Sequence, residues 1–163
     1  MKIVVSNTTP IRYLIEIGAQ EILASLYGHV TIPSAVFDEL THSNAPQYVR
    51  DFILARPDWL VVRSVKGELE KSLIDLDRGE QEAISLALEI NADLVLLDEA
   101  KGRRTAKDMG LQLLGTLGVL EYSGKISLID LPEAVKKLRE TSFRVSSTLI
   151  DKLLKRYEQN KGT

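Results

Sequence analysis

The chain has 163 residues, 44% of them hydrophobic and 27% charged, with a net charge of −2 and no cysteine. That length and balance suit one folded domain with a sizeable core. They exclude disulfides, cysteine nucleophiles, thiolate metal sites and any protein-wide basic field that would draw in nucleic acid.

The first β-rich run is KIVVS at 2–6, broken by Ser6-Asn7-Thr8-Thr9. Pro10 suits a first helical residue, with Thr9 as its N-cap, and helical spacing continues over 10–27. HVTIP at 29–33 is the second run, followed by helical patterns at 33–41 and 44–55. WLVVRS at 59–64 is the third. A helix at 79–91 leads into DLVLL at 93–97, and a helix at 99–109 into LQLLG at 111–115. None of these runs alternates apolar with polar residues, as expected of parallel strands covered on both faces. Short strands alternating with helices predict an α/β fold with a mainly parallel, five-stranded sheet and right-handed crossovers. Two further helices follow from about 131, at 131–142 and 146–159. The second carries an apolar stripe of Leu149, Leu153 and Tyr157, with Ile150 and Leu154 beside it. Residues 160–163 are expected to fray.

Neither a glycine-rich phosphate loop nor a nucleophile elbow is present. His29 and His42 each stand alone, so any chemistry falls to carboxylates. Glu80 shares a helix face with Ala83, Ile84 and Ala87, whereas Glu82 and Glu89 fall on faces that can be solvated. Glu80 reads either as the far half of a capping box opened by Asp77 or as a site acid. Asp98 follows the apolar run 94–97, at the strand end where open α/β sheets bind ligands. It also reads as an N-cap for the helix starting at Glu99. Glu39 borders the face of Ala35 and Val36, and a surface glutamate is the plain alternative. All three acids, with Asn7, fall toward the carboxyl edge of the sheet. Acids gathered there repel one another unless a cation neutralises them, and hard oxygen ligands favour Mg²⁺ or Mn²⁺. Lys101, Arg103 and Arg104 beside Asp98 are either phosphate donors or a solvated helix face. Thr116 either orients a ligand or simply starts a helix.

With VVSNTTPI, IPSAVFDEL, DRGEQEAISLALEINADLVLLDEAKGRR, GTLGVL and LRETSFRVSSTLIDKLL on nearly its whole length, the chain resembles the PIN-domain nucleases. It is similar in particular to the PIN-like family of unknown function, DUF3368, grouped with VapC-type toxins. The resemblance implies a three-layer α/β/α sandwich over residues 1–163. It further implies an acidic pocket for Mg²⁺ or Mn²⁺ and cleavage of RNA. A small cognate antitoxin and a tendency to dimerise would follow. The lack of cysteine fits a reducing cytoplasm, and no apolar stretch is long enough to span a membrane. The acidic positions of that family fall on Asn7, Glu39, Glu80 and Asp98, and at the first the family has aspartate. Asparagine keeps the shape and the ligating oxygen but not the charge.

Overall fold

The structure, a computed structural model, describes residues 2–161. Five strands form one sheet: β1 (Val4–Ser6), β2 (Val30–Pro33), β3 (Leu60–Arg63), β4 (Leu94–Leu96) and β5 (Leu113–Leu114). Their order is β3-β2-β1-β4-β5, and every pairing is parallel. β1 sits in the centre, in register with β4 through Val4–Leu94, Val5–Val95 and Ser6–Leu96. The chain moves outward from β1 in one direction through β2 and β3, then crosses back to β4 and β5. Ligand crevices in open α/β sheets form where the order reverses in this way, here between the ends of β1 and β4.

Alternate strand residues feed two separate cores. Val4, Val30, Ile32, Leu60 and Leu96 face one side of the sheet. There they meet α1 (Thr8–Glu16), α2 (Glu21–Tyr27), α3 (Ser34–Thr41), α4 (Gln47–Leu54), α7 (Thr116–Lys125), α8 (Leu131–Arg139) and α9 (Ser147–Lys161). Val5, Val95 and Leu97 face the other, against α5 (Arg78–Glu89), α6 (Ala100–Asp108) and the 3-10 turn Lys71–Leu73. The result is the three-layer α/β/α arrangement with a parallel sheet. Among the described residues, no helix is long and apolar enough to cross a membrane.

Several local expectations are corrected. The segment 10–27 divides into α1 and α2. Gly18, at φ 73°, ends α1, with Gly18 N donating to Ile15 O and Ala19 N to Leu14 O. That paired pattern satisfies the last carbonyls and needs the left-handed conformation glycine adopts freely. At its other end α1 begins at Thr8, so Asn7 and not Thr9 is the N-cap. Pro10 remains within the first turn, where its missing N–H costs nothing. Glu82 is buried and accepts from Ala35 N at 3.0 Å, so it is not a solvated residue. α3 starts after Pro33, which has no capping side chain, and Glu82 supplies the acceptor from α5. Glu89 is exposed as expected, yet it holds Lys66 N and Gly67 N. Asn160 and Lys161 continue α9 and are not frayed, while residues 162–163 lie outside the described residues.

Candidate functional site

Asn7 leaves β1 with its backbone N–H still in the sheet, donating to Leu96 O at 3.0 Å. Its side chain occupies an N-cap position but makes no capping bond to α1. Instead it is buried, and Oδ1 has no hydrogen-bond donor. It faces Gly79 on α5: a Cβ there would stand 3.2 Å from Asn7 Oδ1 and would collide with Glu39 Oε1. Asn7 and Glu39 thus converge on the same glycine. Glu39 reaches it from α3, and its Oε2 accepts from Thr8 Oγ1 at 2.5 Å. Glu39 is exposed as a whole residue, but its carboxyl end is tucked against α5. Burial of that end raises its pKa, against the Thr8 hydrogen bond that lowers it, and Asp77 nearby raises it further.

Glu80 follows Gly79 directly. Asp77 opens the helix as expected of a cap, with Oδ1 accepting from Glu80 N at 2.8 Å. The Glu80 side chain is 4% exposed and packs against Gly102 of α6, where a Cβ would collide with Oε2. That oxygen is buried without a donor. Burial, followed by the Asp77 carboxylate, pushes the Glu80 pKa up to about 8. A buried acceptor with no partner costs roughly 1–3 kcal/mol, so two of them, one at the N-cap of α1 and one on α5, need a reason.

Asp98 stands beyond β4 and does not cap α6, whose N-cap is Glu99. Both its oxygens bind Thr116: Oδ1 accepts from Thr116 N at 2.8 Å and Oδ2 from Thr116 Oγ1 at 2.6 Å. α7 begins after Gly115, which offers no capping side chain, and Asp98 fills that role from across β5. A Cβ on Gly115 would come within 2.8 Å of Asp98 Oδ1. Burial raises the Asp98 pKa, against the two Thr116 hydrogen bonds and the Arg103 charge that lower it.

All four positions therefore lie at the carboxyl edge of β1 and β4 or on the helices entering there, but they do not form one closed cage. Among the described residues, no group of three or more Asp, Glu, His or Cys is gathered closely enough to hold a metal. Local donors hold two of the acids back, Thr8 on Glu39 and Thr116 on Asp98. Asn7, which meets α5 at Gly79 beside Glu39, offers an uncharged amide. What remains is chemically consistent with a hard cation: every candidate ligand is oxygen, two are buried acceptors lacking donors, and three glycines make room.

Of the basic residues singled out from sequence, Arg103 is half-buried and donates from Nη1 to Leu97 O at 2.7 Å. Lys101 and Arg104 are exposed on α6. Thr116 is fully buried and does start a helix. His42 ends α3 and its Nδ1 accepts from Asn44 N at 3.1 Å, while His29 is exposed. Sequence reasoning missed Thr8 and the glycines 79, 102 and 115. A glycine inside a helix, as at 102, costs about 0.5–1 kcal/mol relative to alanine, and that was the readable signal.

A parallel five-stranded sheet with helices on both faces and acids at the reversal of strand order defines an α/β/α module of the PIN type. The sequence profile of the DUF3368 family, described as a PIN domain, matches residues 3–159, and the chain belongs to that family. Among solved structures, a PilT N-terminus domain protein from the hyperthermophilic archaeon Sulfolobus solfataricus P2 is similar at 17% identity. That match covers 90% of this chain and all of the other, with a TM-score of 0.47. No curated protein sequence matches significantly.

Proposed function

We propose that this chain is an endoribonuclease dependent on Mg²⁺ or Mn²⁺, the toxin of a toxin–antitoxin pair, with its activity muted by Asn7. PIN domains are in general nucleases, and the observation that carries the reading here is the pair of buried, donor-less acceptors, Asn7 Oδ1 and Glu80 Oε2. The residues that would hold the ion are Asn7, Glu39, Glu80 and Asp98. When bound, such an ion supplies neutralisation at the phosphodiester and a more acidic water.

The chain's own residues prepare that site. Thr8 and Thr116 keep the Glu39 and Asp98 carboxylates oriented, and Gly79 and Gly102 admit the acids against the backbone of α5 and α6. Arg103 stands beside Asp98 as a phosphate donor, with Lys101 and Arg104 as outer cations on the same helix. The partners of this reading are RNA, a small antitoxin and a second copy of the chain, in the cytoplasm.

A second reading keeps the fold without catalysis, as a module that binds RNA or a protein. Asn7 and the open arrangement of the acids favour it. Activity separates the two. Asn7→Asp restores an anion worth ~2–4 kcal/mol beside a divalent ion, hence roughly 30- to 1,000-fold in rate. With Mg²⁺ or Mn²⁺ the variant is expected to cleave RNA at least about tenfold faster than this chain. A variant that cleaves nothing this chain leaves intact removes the catalytic reading.

A further inference from the structure

Two cavities flank the first turn of α1. Thr8 lines one and Thr9 the other. The first, about 440 Å³, contains Glu39, Arg12 and Arg78. Both guanidiniums are already neutralised within their own helices, Arg12 by Glu16 at 2.9 Å and Arg78 by Glu82 at 3.1 Å. The second is a groove of about 710 Å³ that begins at Asp98 and Glu99 and runs between α1, α6, α7 and the connection from α8 to α9. Its guanidiniums are Arg103 and Arg144, and among the described residues neither forms an ion pair.

The two are mounted differently. Arg103 is fixed by its bond to Leu97 O and keeps its other N–H groups. Arg144 is exposed and makes no hydrogen bond among the described residues, but the backbone beneath it is held. The Tyr13 hydroxyl bonds Ser142 at 2.7 Å, and the Tyr13 and Phe143 rings meet edge to face at 5.1 Å. Phe143 N donates to Thr141 Oγ1 at 3.2 Å, which ties the segment to the end of α8. An unpartnered guanidinium on a pinned segment, lining a groove that ends at a site acid, is available to an anion. Leu117, Val145 and Leu149 supply the apolar wall that a sugar and base need, and Leu149 is 45% exposed there.

We propose that this groove seats the single-stranded RNA flanking the scissile bond, with Arg103 and Arg144 each engaging a backbone phosphate. The proposal rests on the nuclease reading for the identity of its ligand, and its test does not depend on cleavage. The protein with Asn7 is titrated with a short fluorescein-labelled RNA of mixed sequence, from about 50 to about 200 mM salt. Losing one phosphate contact to a single strand lowers the slope of log K against log salt by about 0.7. Arg144→Ala is expected to do so and to weaken binding about tenfold at the lowest salt, with an unchanged Tm. Arg144→Lys is expected to keep the slope, because it keeps the charge.

Unchanged affinity and slope in Arg144→Ala would overturn the assignment and leave the groove to a protein ligand, even if Asn7→Asp proves to be a nuclease. The expected slope change in a protein whose Asn7→Asp variant is inert would keep the groove and remove the catalytic reading.

Discussion

Asn7 and Glu80 each bury an oxygen with no hydrogen-bond donor, and the proposed site rests on that pair. For Glu80 the consequence is electrostatic. Its carboxyl holds a proton up to about pH 8 in the folded chain and only in the ordinary carboxylate range when unfolded. Between roughly pH 5 and pH 8 the folded state therefore binds more protons than the unfolded state, and stability falls as pH rises through that window. Glu39 and Asp98 are shifted in the same direction and reinforce the trend. Thermal melts of the metal-free protein should show Tm decreasing across this range, and Glu80→Gln should flatten the decrease. A flat profile in the parent chain would contradict a buried, uncompensated Glu80.

At the scale of elements, two helices begin at residues that cannot cap them. α3 follows Pro33 and α7 follows Gly115, and both borrow a carboxylate from elsewhere: Glu82 from α5 and Asp98 from the end of β4. Asp98 is thus structural as well as a candidate ligand. Asp98→Ala should cost about 1 kcal/mol, roughly 2–4 °C in Tm, without any metal present. Asp98→Asn keeps an acceptor and should cost less. Equal stability of the parent and Asp98→Ala would refute the capping role. This dual use is also where the sequence was hardest to read. Local spacing placed Asp98 before α6 and offered that helix as its target, but the partner lies 18 residues on, across a strand whose pairing no local pattern specifies. The α1–α2 break, by contrast, was visible in Gly18 and was read through because apolar spacing continued past it.

Across the whole molecule, the parallel sheet was legible because its strands lack polar alternation, and burial on two faces leaves no other arrangement for them. The sites of the acids were legible as positions at one sheet edge. Their spacing in three dimensions was not, because it depends on side-chain hydrogen bonds from Thr8 and Thr116 and on glycines that admit carboxylates. The same architecture bears on how a chain of net charge −2 would meet the polyanion proposed as its substrate. Of the guanidiniums that line the two cavities beside α1, Arg103 and Arg144 line one without an ion pair among the described residues, and the paired Arg12 and Arg78 line the other. On the proposed reading, the acids between them would need a cation before phosphate could approach.

That dependence can be measured directly by titrating Mn²⁺ and counting bound ion by electron paramagnetic resonance, for the parent chain, Asn7→Asp and Asn7→Asp/Glu80→Gln. The account predicts that Asn7→Asp binds Mn²⁺ about tenfold or more tightly than the parent, and that adding Glu80→Gln abolishes the gain. Identical Mn²⁺ binding in all three proteins would contradict it.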